Sequence, residues 1–330
     1  MNNAEVMIVL FAIVVVGYVA GKRGYMGGDF DRRLSSLVID VTSPALILSS
    51  TMGGTLPDRR LILPLLGISL ITYTLLAGVA LFLPPLFTRK KEQWGTVGFA
   101  LMFGNVGFIG YPIVDSMFGH EAVFYAAVLN VVNTFAVFTV GTMLLLRSDR
   151  KPGQPDTTTA ETTRHDTGAA TPAGRPHTRT EWLWLLASTP MLAAYIAMAI
   201  VAFGIDDIPT IVSQPLTLIG NITVPAALLI IGSSMSRLPL RTMMGSPIVY
   251  TTTLFRLVLL PMALLALFTL MGFDHLAVSI NTVVIAMPVA TYGTILCLKM
   301  GRDATLITEL TFITTLLSII TIPALAQIIG

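Results

Sequence analysis

Long apolar runs constrain this chain more than any other feature. Residues 61–87, 122–146 and 304–329 each exceed the about 20 apolar residues that a helix needs to cross a hydrocarbon core roughly 30 Å thick, and Glu309 is the one formally charged residue in all three. Open β-structure cannot cross lipid because its edge N–H and C=O groups find no partner there. The alternation of about ten residues per strand that marks a membrane barrel is absent. The runs therefore predict transmembrane helices and an all-α integral membrane protein.

Composition agrees: 54% of residues are hydrophobic and 12% charged, against about 25% charged in soluble domains. A net charge of +2 and no basic patch interleaved with aromatics exclude nucleic acid as a partner. Cys297 is the one cysteine, which excludes disulfides, cysteine-rich metal sites and a CxxC redox pair. The first apolar run starts near Val6 and is followed, not preceded, by Lys22-Arg23. That order is the reverse of a secretory signal, so the run reads as a retained span.

The pattern predicts ten spans, at 5–21, 33–52, 61–87, 94–118, 121–146, 182–204, 208–236, 244–270, 275–299 and 304–329. Seventeen of the 20 Lys and Arg fall in the loops after the first, third, fifth, seventh and ninth of these. Arg59 and Arg60 lie on the other side, and Arg256 lies within a span. The positive-inside rule then places the basic loops in the cytoplasm and both termini outside, in a multi-pass protein of the cytoplasmic membrane. Residues 147–180 are rich in Thr, Pro, Gly and charge and lack aromatic or branched-aliphatic residues. They cannot bury a core and read as a disordered cytoplasmic linker in which His165 and His177 have no assigned role.

The linker separates a first five-helix repeat (1–146) from a second (181–330). An odd number of spans per half makes the second half enter the membrane inverted, the plan of many secondary carriers. Pro44, Pro64 and Pro112 have counterparts at Pro225, Pro247 and Pro288, offset by 181, 183 and 176 residues. Locally, SPALIL around Pro44 matches VPAALLI around Pro225.

Two motifs fall inside spans where a continuous helix would suffer. GNVGFIGYP (Gly104 to Pro112) lies in the fourth span and AMPVATYG (Ala286 to Gly293) in the ninth. An internal glycine costs roughly 1 kcal/mol relative to alanine in a helix, and a proline about 3. Non-helical backbone at membrane depth survives only where protein or a water-filled cavity satisfies it, and paired breaks in two halves point to a carrier's binding site. Pro112 and Pro288 are suited to open second half-helices, whose N-termini attract an anion. The candidate substrate-binding residues are Asn105, Gly107, Gly110, Pro112, Pro288, Thr291 and Tyr292, joined by Asn130 and Asn133, which share a face of the fifth span. Close helix packing and simple kinks are the structural alternative. Asp40, Asp115, Arg256 and Glu309 are the ionisable residues deepest in the spans. Asp40 is a candidate for a coupling proton and Arg256 for a substrate carboxylate; snorkelling to an interface is the alternative reading. No role is assigned to Asp115 or Glu309. His120-Glu121 begins an HExxH string, but Phe124 replaces the second histidine. No GxSxG or GxxxxGK[ST] occurs, Asn221-Ile-Thr223 is a sequon within a span, and Gly17 and Gly21 form a packing GxxxG.

GNVGFIGYP and AMPVA, together with SPAL near Pro44, VPAALLIIGSSM near Pro225 and TTLLSIITIP at 314–323, resemble the bacterial branch of the auxin efflux carrier family. The resemblance covers essentially the whole chain outside 147–180. It implies ten helices in two inverted five-helix repeats, with the fourth and ninth broken at prolines and crossing at mid-membrane where substrate binds. It also implies a scaffold of spans one, two, six and seven carrying a mobile bundle in an elevator-like motion. Asn105, Gly110, Pro112 and Pro288 fall at the crossover by this correspondence. Bacterial relatives are associated with carboxylates such as malate and malonate, and plant members with auxin. The expected function is a secondary carrier for a small organic anion without a cofactor. The lipid bilayer is its surroundings, protons are the candidate coupling ion, and a second copy of the chain is a candidate partner. The contrasting classes are a membrane-embedded enzyme, for which the spans offer no paired nucleophile and base, and a passive channel, for which they offer no charged ring.

Overall fold

The computed structural model describes residues 3–52, 57–147, 189–205, 207–237, 247–299 and 302–329, so nearly all of the 147–180 linker lies outside the described residues. Among the described residues every long run is helical, and an isolated antiparallel bridge joins Gly104 to Val289. Five helical runs are long and apolar enough to cross a membrane: Arg59–Phe82, Ala122–Leu146, Thr210–Ser233, Pro247–Leu270 and Thr305–Ile329, with mean hydropathies of 1.8 to 2.1. Shorter apolar helices include Ala12–Lys22, Val106–Phe118, Thr189–Phe203 and His275–Ile285. Large apolar side chains face outward, among them Leu63, Leu70, Phe82, Ile211 and Leu270. A water-soluble surface does not carry so many, whereas hydrocarbon chains cover them at no cost. The protein is a multi-pass membrane protein.

Several helices are not uniform. π-turns at Val38–Thr42, Val106–Gly110, Val137–Gly141 and Phe255–Leu259 each insert one residue into a helical run and re-aim the side chains that follow. The expected span 208–236 is two helices, Thr210–Gly220 and Thr223–Ser236, meeting at 221–222. The expected span 61–87 ends as a long helix at Phe82, and Pro84 opens a separate single turn, Pro84–Phe87, because proline cannot continue the hydrogen-bond ladder.

Packing sorts the helices into two groups. In the first, Asn3–Lys22 lies along Thr223–Ser236, and Ser43–Ser49 packs on Thr189–Phe203 and Thr210–Gly220. Glycines permit the approach. A Cβ on Gly17 would strike the Leu229 backbone, one on Gly21 the Ser236 Oγ, and one on Gly232 the Val14 carbonyl and Tyr18 N–H. The Gly17/Gly21 pair is thus a packing surface. At one end of this group Asp31, 5% exposed, accepts from Ser233 Oγ at 2.7 Å and from the Arg237 guanidinium, closing the start of the helix Gly28–Leu37 onto the end of Thr223–Ser236. In the second group, Ile62–Phe82 packs on Ala122–Ala136 and Trp94–Met102, Leu260–Leu270 on His275–Ile285, and Pro247–Leu254 on Thr305–Ile329. The groups meet where Thr189–Phe203 and Ser43–Ser49 touch Ala122–Ala136, and where the first helix touches the last.

Candidate functional site

Two helices stop in the interior of the second group. Trp94–Met102 ends where Phe103 turns extended (φ −111°, ψ 120°), and His275–Ile285 ends at Ala286. The chains that follow run antiparallel past each other. Asn105 N–H donates to the Pro288 carbonyl at 2.8 Å, and Ala290 N–H donates to the Phe103 carbonyl at 3.1 Å. Val289 N–H donates to Thr314 Oγ1 on the last helix at 3.0 Å. Backbone groups released by the breaks are therefore paired with protein, as non-helical chain at membrane depth requires. The close crossing depends on Gly104, where a Cβ would meet the Arg256 guanidinium and Met287.

Arg256 projects from the π-turn Phe255–Leu259 and is 0% exposed. Its Nη1 donates to the Leu101 carbonyl at 3.1 Å and its Nη2 to the Met287 carbonyl at 3.3 Å. Leu101 lies in the last turn of one broken helix, and Met287 lies just past the end of the other. A helix C-terminus carries about half a negative charge, so two of them balance one guanidinium. Among the described residues Arg256 forms no ion pair with a carboxylate, and its Nε makes no hydrogen bond.

With both C-terminal ends balanced by Arg256, the starts of the second half-helices, each carrying about half a positive charge, lie beside the crossover. One half-helix begins with the π-turn Val106–Gly110 and continues as Tyr111–Phe118; the other is Tyr292–Lys299. Asn105 connects them. Its Oδ1 accepts from Phe108 N–H at 3.3 Å, capping the first, while its Nδ2 donates to Thr291 Oγ1 at 3.1 Å, beside the start of the second.

The structure thus brings Asn105, Gly107, Gly110, Pro288, Thr291 and Tyr292 to one place. Thr291 and Tyr292 are exposed there. Space is open where a Cβ on Gly107 would lie, whereas one on Gly110 would meet Val106 and Met287. The expectation that Pro112 and Pro288 open the second half-helices is corrected. The first opens at Val106 because the Asn105 side chain caps it, leaving Pro112 buried just past the π-turn, in the first turn of Tyr111–Phe118. Pro288 stays in the extended crossing, where its carbonyl is used by Asn105. Asn130 and Asn133 reach the site indirectly. Asn130 Nδ2 donates to Tyr111 Oη at 2.9 Å and Asn133 Nδ2 to Asn130 Oδ1 at 2.7 Å, tying Ala122–Ala136 to the half-helix. Asp40 is exposed on the π-turn Val38–Thr42, which lies against Val106–Gly110. Arg256 stands behind the crossing and touches backbone.

A cleft of about 70 Å³ opens between the two helix groups next to this point, lined by Val14 and Leu228 of the first group and Ile109, Ile113, Thr315 and Ser318 of the second. Sequence reasoning missed Thr314, which lies one position from the cleft and anchors Val289. Its only signal was membership of the TTLLSIITIP run.

Comparison with known proteins gives the family. The family model described as "Membrane transport protein" matches residues 4–326. An uncharacterized transporter of Methanocaldococcus jannaschii is 23% identical over 322 residues, covering 96% of each chain. Another uncharacterized transporter, from Methanothermobacter thermautotrophicus, is 24% identical over 330 residues, covering 98% of this chain and 97% of that one. A match over nearly the whole chain, with paired broken helices at its centre, places the protein in the membrane transport protein family, that of the auxin efflux carriers.

Proposed function

We propose that this transporter is a secondary carrier that moves a small organic anion, a carboxylate such as malate, malonate or an auxin-like acid, across the cytoplasmic membrane. One observation carries the reading. Arg256 balances the negative ends of two broken helices, so that two positive half-helix ends beside Asn105 and Thr291 are left for a ligand. In this reading the carboxylate lies against Asn105 and Thr291, in the positive field of the two half-helix starts. Its apolar body extends into the adjoining cleft.

The larger plan is part of the same proposal: ten crossings in two inverted five-helix repeats, both termini outside and the 147–180 linker in the cytoplasm. The sorting of helices into two groups supports an elevator motion, with the first group as scaffold and the second carrying the crossover. Protons are the proposed coupling ion and a homodimer the proposed assembly. Purified protein in liposomes is the test. Radiolabelled malate, malonate or indole-acetate should accumulate under an imposed pH gradient, and Asn105→Ala should abolish flux while membrane insertion is unchanged. Flux of none of these acids sinks the anion assignment; normal transport by the variant removes Asn105 from the site.

A further inference from the structure

The half-helix Tyr111–Phe118 ends at Gly119, whose φ of +89° favours glycine and turns the chain back. That turn carries His120 to a position between two side chains. Its Nδ1 is 2.9 Å from Asp115 Oδ1, one turn earlier in the same half-helix, and its Nε2 is 3.0 Å from Ser49 Oγ. Asp115 and His120 belong to the helix group that carries the crossover, whereas Ser49 ends Ser43–Ser49 of the other group. The order serine, histidine, aspartate is that of a hydrolase triad. Here Ser49 is 1% exposed, so no acyl group reaches its oxygen, and its hydroxyl is 3.1 Å from the Leu46 carbonyl of its own helix.

We propose that His120 is a proton-binding site whose protonation latches the two helix groups together at this end of the molecule. Both N–H groups of the charged ring find acceptors. Ser49 Oγ donates to Leu46, leaving a lone pair for Nε2–H, while the Asp115 carboxylate accepts from Nδ1–H. Both bonds are then charge-assisted, about twice as strong as neutral ones. When the ring loses a proton, the carboxylate keeps the remaining one on Nδ1, and Nε2 becomes an acceptor. The Ser49 hydroxyl must turn from Leu46 to meet it. The Leu46 carbonyl still holds Ser50 N–H at 3.1 Å, so the turn is feasible, but the charged contact between the groups is gone.

Protons have a route, since the side chains of His120 and Asp115 are 31% and 24% exposed. Among the described residues these groups bear on the ring. Asp115 and Ser49 touch it, and Glu121 adjoins it in sequence. Asp58 and Asp274 stand at the same end, close enough to act with Glu121 on Tyr125, and Arg59 and Arg60 follow Asp58. The packed faces of Ser43–Ser49 and Thr189–Phe203 add no charged residue. What opening the latch achieves rests on the carrier reading; the latch itself does not.

Two measurements keep these apart. Nitroxide labels at the exposed positions Phe203 and Leu270, one in each group, report their separation in reconstituted protein by pulsed electron resonance; native Cys297 is buried. Between about pH 5.5 and about pH 8, the range over which histidines change charge, the wild-type population of the separated arrangement should rise about tenfold. His120→Gln should abolish that response, and Ser49→Ala should raise the separated population at both values. A wild-type distance distribution indifferent to pH overturns the proposal, as does an unchanged response in His120→Gln. Carboxylate flux over the same range is the second measurement. A distance response without flux leaves the latch standing and removes the carrier reading. Flux with no distance response removes the latch and leaves the carrier reading.

Discussion

At the scale of the residue, Arg256 shows how a fully buried charge is accommodated without a carboxylate. A cation at the bilayer centre costs about 2.5–3.5 kcal/mol on insertion scales. Two backbone carbonyls at helix C-termini offset that cost here. Arg256→Lys keeps the charge but cannot span both carbonyls, because an ammonium lacks the planar fork. Its KM for the carried carboxylate should rise about tenfold with the protein still monodisperse, while Arg256→Met should lose about 2–4 kcal/mol of stability from unpaired acceptors. Flux kinetics and detergent melting curves separate the two outcomes, and an unchanged KM in Arg256→Lys removes the positioning role. Sequence reasoning singled out Arg256 but not its acceptors within the protein, which are main-chain atoms 155 and 31 residues distant. Backbone acceptors leave no mark on residue type. The place of Asn105 at the crossing was legible because a polar amide between glycines inside an apolar run marks a break in the helix. The joint between Ser49, His120 and Asp115 was not, because Ser49 and His120 are 71 residues apart and neither is unusual in its own segment.

At the scale of the element, the broken helices were legible and their break points were not. Glycine and proline raise the cost of a continuous helix over a whole segment. Which residue yields depends on caps and crossing partners, so the starts moved to Val106 and Tyr292. The π-turns were equally hidden, since one inserted residue barely alters a uniformly apolar pattern. The glycine seam between Asn3–Lys22 and Thr223–Ser236 is a sharper case, because contact there is backbone to backbone. Gly232→Leu must push the helices apart, since the obstructing atoms are the Val14 carbonyl and Tyr18 N–H and neither can rotate away. Overpacking of this kind costs about 1–3 kcal/mol or more. Thermal melts in detergent should register it as a fall of several degrees, and a melting point equal to wild type would show that the two helices are not held by this seam.

At the scale of the whole molecule, outward-facing apolar residues and the two helix groups set what the protein tolerates. Leu70 is 61% exposed midway along Arg59–Phe82, and Phe82 is 78% exposed at its end. Leu70→Arg should impair membrane insertion by about 2.5–3.5 kcal/mol, while Phe82→Arg should insert normally because its guanidinium reaches the headgroups. A glycosylation-mapping or protease-protection assay distinguishes them, and equal insertion would mean that this face is covered by protein.

Behind the crossing Arg256 has a buried neighbour, Tyr73 of Ile62–Phe82. The offset that pairs Pro64 with Pro247 also pairs Tyr73 with Arg256, and the two side chains are close enough to interact electrostatically. In the proposed repeat the centre therefore has two equivalent seats for a cation and fills one. The halves are not interchangeable parts. Two first halves joined in tandem would bring a pair of like-charged helix ends together with only phenols between them, and would repel where the native chain holds fast.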